Sequence, residues 1–204
     1  QKQLLKAFRE HGVPRCMRSD NGSPFGSRGV AGFSRLSVWL LKLGIQPEHI
    51  DPGRPDQNGR HERMHQPLKA ETARPPKASW AAQQRAFDEF RRCYNDERPH
   101  EGIALRTPSS LYTYSSRSLG QPHSPGYPSH FEVRRVKPKG HIRWRGVDVL
   151  IGAAFRGEPI GFEEVDDGVW LASYGDFALG ELDVRRLEGV RWLRLRPLDE
   201  PFSS

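Results

Sequence analysis

Two carboxylates form a pair whose types and positions could hold a metal ion. Asp20 follows a predicted strand over residues 13–19 and opens the turn signal Asp-Asn-Gly. Glu62 lies in the first turns of a predicted helix over residues 60–72, after a loop rich in Pro and Gly. Carboxylates from separate elements can share Mg²⁺ or Mn²⁺, which prefer oxygen ligands and can organise in-line attack at phosphorus. Both residues also have a purely structural interpretation, in which Asp20 is an ordinary turn residue and Glu62 interacts favourably with the helix dipole.

The same helix carries a rival motif, because residues 61–65 read His-Glu-Arg-Met-His and match H-E-x-x-H. On a helix, this spacing places two imidazoles one turn apart, where they can bind zinc with the glutamate as general base. The longer zinc-peptidase signature fails, since position 68 is Leu and position 71 is Glu. Pro67 also removes a backbone donor and is expected to bend the helix. A zinc peptidase is therefore kept only as an alternative.

The helix face around Glu62 has the composition of a DNA-contacting surface. His65, Gln66 and Lys69 follow Glu62 at i+3, i+4 and i+7, so they project beside it. A carboxylate that binds a metal ion, beside side chains that contact phosphates and base edges, suits a helix that lies along DNA. A solvated helix face would look the same. Further DNA contacts are expected from Arg54, Asn58 and Arg60.

The positive charge is unevenly distributed along the chain. The 204 residues carry a net charge of +7. Residues 1–130 hold 20 Lys+Arg against 12 Asp+Glu, whereas residues 131–204 hold 12 against 13. The excess in the first segment favours a polyanionic partner such as nucleic acid. One acid-free run in the second segment could make a second DNA contact or form one exposed strand face, and both interpretations stay open. Its members are Arg134, Arg135, Lys137, Lys139, Arg143 and Arg145.

Other classes of protein are disfavoured by composition. No apolar stretch approaches the roughly 20 residues that a bilayer-spanning helix requires, and the first residues show no signal-peptide pattern. Cys16 and Cys93 lie far apart without a metal-ligand spacing, so neither a disulfide framework nor a zinc knuckle is indicated. We therefore expect a protein of the reducing cytoplasm.

The periodicity changes once along the chain, from helical to β. Helices are predicted over residues 1–10, 33–43, 60–72 and 80–97, the last with a buried stripe of Trp80, Phe87, Phe90 and Tyr94. Residues 113–130, rich in Ser, Pro and Gly, are predicted to be a linker. Short strands separated by Gly-containing turns follow, which is typical of a small antiparallel barrel. The predicted domains are residues 1–112, the linker 113–130, a β domain over 131–197 and a tail over 198–204.

Several motifs in order resemble one family. RSDNGSPF at 18–25, GRPDQNGRHERMHQPLKAE at 53–71, and YNDERPH from 94 followed by RTP ending at 108 resemble the integrase-core transposases of bacterial insertion sequences, of the IS481-like and related IS3-like groups. HIRWRG and GEPIGFEEVDDGVWLASYGDFALGELD resemble the C-terminal β domain of the IS481-like group. The resemblance covers nearly the whole chain.

The resemblance implies a fold and a mechanism. It implies an α/β fold, an N-terminally truncated ribonuclease-H-like integrase core of the retroviral-integrase-like superfamily, followed by a small SH3-like antiparallel β-barrel. Asp20 and Glu62 would be the second and third carboxylates of a D-D-E triad. Two Mg²⁺ or Mn²⁺ ions would serve phosphodiester hydrolysis and strand transfer. The implied partners are double-stranded DNA, as transposon ends and target, and further copies of the chain, in a bacterial cytoplasm near the nucleoid.

One member of that triad has no counterpart in the chain. The first Asp of the family lies on the opening strand, upstream of the second, but residues 1–19 contain no Asp and only one acid, Glu10. We therefore expect the C-terminal portion of a transposase that is inactive alone, unless the first Asp is supplied. The alternative is a non-catalytic remnant that serves in DNA binding or assembly.

Overall fold

The computed structural model describes residues 1–19, 24–25, 32–49 and 59–198, without the side chains of His49, Arg60, His61 and Glu62. These residues belong to two compact units. One unit combines residues 1–49 with residues 118–204, and the other contains residues 50–117. Among the described residues, no helix has the length and apolar character needed to cross a bilayer.

The N-terminal part of the first unit consists of two helices and two short strands. They are α1 (Lys2–His11), β1 (Cys16–Ser19), α2 (Arg35–Lys42) and β2 (Gln46–His49), and the two strands pair in parallel. Helix α2 begins with a capping box, in which the Ser34 hydroxyl accepts from the Ser37 N–H at 3.1 Å and the Ser37 hydroxyl accepts from the Ser34 N–H at 2.7 Å. The predicted helices over 1–10 and 33–43 are confirmed within one or two residues at their ends.

The β part of the first unit forms two sheets. Its strands are β3 (Glu132–Arg135), β4 (His141–Trp144), β5 (Val147–Leu150), β6 (Pro159–Asp166), β7 (Val169–Tyr174), β8 (Phe177–Asp183) and β9 (Trp192–Arg194). Strands β3-β6-β7-β8 form an antiparallel sheet, and β4-β5-β9 form a second sheet in which β5 and β9 run parallel. The predicted short strands of the β part are confirmed. The predicted closed, wholly antiparallel barrel is not confirmed, because the described strands pair as two separate sheets and one pair is parallel.

The core of the two sheets is completed by residues from far upstream. Trp144, Phe155 and Phe162 are among the largest fully buried side chains. Phe33 packs edge-on against Phe155, with ring centroids 5.5 Å apart. Val38 of α2 belongs to the same buried cluster. The α2 segment and the β sheets therefore share one apolar core within this unit.

A strap of residues 118–130 runs across this unit without helix or strand. The His123 N–H donates to the carbonyl of Lys42 at 3.0 Å. The Tyr127 hydroxyl lies 3.0 Å from the carbonyl of Ser173 and accepts from the Gly175 N–H at 3.2 Å. A Cβ on Gly161 would stand 2.3 Å from the Tyr127 ring, so only glycine fits there. The strap is thus fixed along this path by hydrogen bonds and close packing.

A carboxylate in the first unit joins three segments. Glu158, whose side chain is only 12 % exposed, pairs with Lys42 Nζ of α2 at 2.7 Å. The hydroxyls of Ser124 in the strap and Tyr174 in β7 donate to its other oxygen at 2.6 and 2.8 Å. Burial by itself raises the pKa of Glu158, but these three donors outweigh burial and hold the pKa below its ordinary value.

Replacing Glu158 by Gln should destabilise the first unit and reduce its acid sensitivity. The change leaves the Lys42 ammonium without its counter-ion, and we expect the free energy of unfolding to fall by about 2 kcal/mol at neutral pH, less than a fully buried pair would lose. Because the folded pKa of Glu158 is lowered, its contribution is present above the ordinary value near 4.5 and is lost as the pH falls through the folded pKa.

Urea denaturation at pH 7 and at pH 4 measures both effects. Glu163→Gln is the matched control, since Glu163 forms an exposed pair with His130 on the neighbouring part of the sheet. Glu158→Gln should differ from Glu163→Gln at pH 7, and its stability should fall less than that of the wild type on acidification. Equal stability of the two variants at pH 7 would contradict the role given to Glu158.

The second unit is helical. It contains α3 (Gly59–Thr72), α4 (Trp80–Arg92), a π-helical turn (Cys93–Glu97), a 3₁₀ turn (Glu101–Ile103) and α5 (Pro108–Leu111). The predicted buried stripe of α4 is partly wrong. Phe90 is buried, but Trp80 is 91 % exposed and Phe87 is 36 % exposed. Periodicity marks which residues share a helix face, and the neighbours decide which turns of that face are covered.

Candidate catalytic and DNA-binding site

Helix α3 carries the third predicted carboxylate. The backbone of Glu62 lies in its first turn, and Gly59 begins the helix. Its side chain, with those of Arg60 and His61, is not among those described, and Asp20, Arg54 and Asn58 lie outside the described residues. The carboxylate pair, its proposed metal and these DNA contacts therefore stay predictions.

Helix α3 continues through Pro67 to Thr72. The i+3, i+4 and i+7 spacing from Glu62 to His65, Gln66 and Lys69 therefore lies on one continuous helix. Gln66 and Lys69 are exposed, and His65 is half-buried. Pro67 removes the N–H that would reach the carbonyl of Arg63, but it does not end the helix.

Arg98 braces the C-terminal half of α3. Its guanidinium donates to the Glu71 carboxylate at 2.8 Å. Its central carbon lies 5.8 Å from the ring centroids of both Phe90 and Tyr94. The bond to Glu71 raises the pKa of Arg98, so the brace stays charged. In the sequence, residues 94–100 were identified only as part of a family motif. The bracing role of Arg98 was not predicted, because its partner Glu71 lies 27 residues upstream.

A second link joins the same helix end to α4. The side-chain amide of Gln83 donates to the carbonyl of Thr72 at 2.9 Å and accepts from the N–H of Lys77 at 3.0 Å. The amide thereby satisfies a carbonyl at the end of α3 and a donor in the following loop. Arg98 and Gln83 together fix the C-terminal end of the helix whose first turn contains Glu62.

Arg98→Ala should loosen α3 more than it disturbs the rest of the chain. Loss of the ring contacts and of the partly exposed ion pair should cost about 1–2 kcal/mol. We expect amide hydrogen exchange in residues 59–72 to accelerate by roughly tenfold. Arg85→Ala, at an exposed position of α4, is the control and should leave exchange unchanged. Equal exchange in the two variants would show that Arg98 does not brace the helix.

The basic run of the β part is divided between two sheets. Arg134 and Arg135 lie on β3, and Arg143 lies on β4. Arg134 pairs with Glu132 and covers the Trp144 ring, while Arg135 donates to the carbonyl of Gly157. Lys137 and Lys139 are exposed in the β3–β4 connection, and Arg145 is exposed in the β4–β5 connection. The run is therefore not one strand face.

Comparison with protein families gives two matches that follow one another along the chain. Residues 43–108 match the integrase core domain family. Residues 131–188 match the C-terminal domain of the IS481 family transposases. The two matched segments therefore lie in the order integrase core, then IS481-type C-terminal domain. The resemblance seen in the motifs is thereby confirmed, and the H-E-x-x-H string lies inside the segment that matches the integrase core.

Curated proteins similar to this chain include two insertion-element proteins. The chain is 30% identical over 119 residues to the "Insertion element IS476 uncharacterized 39.2 kDa protein" of Xanthomonas euvesicatoria, covering 56% of this chain and 33% of that protein. It is 29% identical over 111 residues to the "Insertion element IS407 uncharacterized 31.7 kDa protein" of Burkholderia multivorans, covering 54% and 38%. The matched part of this chain spans about a third of the length of these relatives.

A solved structure shows a weaker likeness to this chain. It is titled "CryoEM structure of simian T-cell lymphotropic virus intasome in complex with PP2A regulatory subunit B56 gamma". The matched chain is 19% identical, with a TM-score of 0.42, and the alignment covers 87% of this chain and 61% of the matched one.

Proposed function

We propose that the chain acts on DNA as the C-terminal portion of a bacterial transposase. The observation that carries the proposal is the order of the two family matches, integrase core before transposase C-terminal domain. The whole protein would carry out metal-dependent phosphodiester hydrolysis and strand transfer at transposon ends and target DNA. It would do so as a homo-oligomer, in the bacterial cytoplasm near the nucleoid. The division into residues 1–112, 113–130, 131–197 and 198–204 is part of this proposal.

The proposed catalytic groups are Asp20 and Glu62. Both are carboxylates, the oxygen donors that Mg²⁺ and Mn²⁺ prefer, so the donor types fit a divalent cation. Such ions, when bound, activate first a water and then a 3′-hydroxyl for attack at phosphorus. Residues 1–19 offer no aspartate as a third ligand. A polypeptide of these 204 residues should therefore bind DNA without cutting it.

The alternative is a remnant that binds DNA or assembles with other proteins and has no catalytic role. The zinc-peptidase alternative loses its support, because residues 61–65 fall within the integrase-core match. The remnant and the transposase portion both bind DNA, and they differ in whether Asp20 and Glu62 matter once a complete triad is present.

The exposed face of α3 is the proposed primary DNA contact. Lys69 and Gln66 are exposed on α3, and His65 is half-buried on the same helix. Arg54, Asn58 and Arg60 are proposed as further contacts. The second contact comes from the basic run, in which Lys139 and Arg145 lie exposed at turns. Lys and Arg side chains that neutralise phosphates release condensed counter-ions, so such binding depends strongly on salt.

Duplex affinity should therefore fall steeply with salt, and Lys69→Ala should reduce that slope. Loss of one phosphate contact lowers the slope of log affinity against log salt by about 1, with similar weakening for all sequences. Lys6→Ala removes the same charge from an exposed position of α1 and is the control. Fluorescence anisotropy with a labelled duplex between low and moderate salt measures both. An affinity that does not change with salt would count against the proposal.

The 204-residue polypeptide should not nick donor DNA in Mg²⁺ or Mn²⁺, and Asp20→Asn and Glu62→Gln should behave like the wild type. Gel analysis of an end-labelled duplex measures nicking. Nicking by the wild type that both variants lose would overturn the expected inactivity and support the two carboxylates as catalytic. Nicking that both variants retain would point to a contaminating nuclease or to other residues, and would refute the assignment of this pair.

A further inference from the structure

The outer face of the β4-β5-β9 sheet brings together residues that are far apart in sequence. Arg143 lies directly opposite Asp148, and Asp148 lies directly opposite Trp192. Directly opposed residues on neighbouring strands point to the same face of a sheet. The alternate residues Ile142 and Val149 are completely buried and point into the core. Arg143, Asp148 and Trp192 therefore form one row across the outer face.

Trp192 offers an open aromatic surface in this row. The residue is 57 % exposed. Its ring meets that of His141 in a T-shaped contact, with centroids 5.1 Å apart, and His141 is itself buried. Contact on one side limits the conformations of the indole, while the other side is open to solvent. An aromatic ring held in this way can accept a stacking partner at a small entropic cost.

Basic side chains cluster around Asp148, the residue directly opposite Trp192. Lys137, His141 and Arg143 have nitrogens 3.9, 3.8 and 3.2 Å from Asp148 Oδ1. Among the described residues, no hydrogen bond reaches that oxygen. Because no hydrogen bond holds the exposed Arg143 guanidinium on this oxygen, a phosphate can compete for it.

Arg194 adds a basic residue to the same face of the sheet, in the neighbouring row. It lies two residues beyond Trp192 on the same strand, so its side chain points to the same face, and it is exposed. Arg143 stands across the sheet from the indole and Arg194 stands beside it. The basic run singled out in the sequence contains neither Trp192 nor Arg194.

We propose that the outer face of the β4-β5-β9 sheet binds unpaired DNA nucleotides. Trp192 stacks on one base, and Arg143 and Arg194 contact the flanking phosphates. In an intact duplex, the faces of each base are stacked against neighbouring bases. An overhang or a melted end leaves a base face free to stack on an exposed ring. The inference rests on the proposed function and assigns the β part a preference for DNA ends with unpaired bases.

Comparison of a single-stranded oligonucleotide, a duplex with a 3′ overhang and a blunt duplex of the same sequence tests the preference. Removal of a base-stacking ring costs about 1–3 kcal/mol, so Trp192→Leu should weaken binding to the first two probes by about tenfold. Binding to the blunt duplex should change by about twofold or less. Trp192→Phe keeps a ring and should retain most of the affinity. Trp80→Leu removes another exposed indole, in the second unit, and should change none of the three.

Arg194→Ala provides a second test that does not depend on the tryptophan. It removes an exposed side chain, so folding should be unaffected, and the salt slope for the overhang probe should fall by about 1. Thermal unfolding followed by circular dichroism verifies that each variant is folded.

The outcomes separate this inference from the proposed function. If Trp192→Leu weakens all three probes equally or none of them, the preference for unpaired bases is wrong, while duplex binding that depends on Lys69 still supports the proposed function. If the wild type binds no DNA, both are wrong. If a poly-glutamate peptide displaces the overhang probe as well as unlabelled oligonucleotide does, the face binds acidic proteins instead and the inference is overturned.

Discussion

The arrangement of the first unit depends on the requirement to satisfy one largely buried carboxylate. Removing a carboxylate from water is costly unless charge and hydrogen bonds compensate for the lost hydration. Glu158 receives an ammonium from Lys42 and hydroxyl donors from Ser124 and Tyr174. Burial and the adjacent carboxylate both raise the pKa of Tyr174, so this phenol remains a donor at neutral pH. The three segments must therefore meet at one point whenever the unit is folded.

Apolar packing reinforces the same junction. Phe33 reaches Phe155 and Phe177 from the segment that precedes α2, so the sheets share their core with a region more than 100 residues upstream. The Tyr127 ring covers Gly161, where any larger residue would collide with it. The ion pair and hydrogen bonds of Glu158 thus determine which segments meet, and close packing determines how near they come.

Local features of the chain were predictable, and long-range pairings were not. Alternating residues between Gly turns were enough to predict the strands β3 to β9, and helical periodicity was enough to predict α1 to α4. The parallel pairing of β5 with β9 depends on a crossover that alternation does not encode, so the predicted antiparallel barrel is not confirmed. The Glu158–Lys42 pair spans 116 positions and leaves no local pattern. The exposure of Trp80 was not predictable either, because it depends on which residues pack against that part of α4.

The candidate DNA site shows that placement of charge matters more than its total. Residues 131–204 are close to neutral, which by composition predicts little affinity for a polyanion. Acids and bases are nevertheless sorted by position, since Glu132 pairs with Arg134 and Asp183 pairs with Arg185. A nearly neutral segment can therefore still carry a local cluster of basic side chains, as on the outer face of the β4-β5-β9 sheet. A phosphate responds to the potential within about one Debye length, so the local placement of charge, rather than the net charge of the segment, decides whether the proposed DNA contact can form.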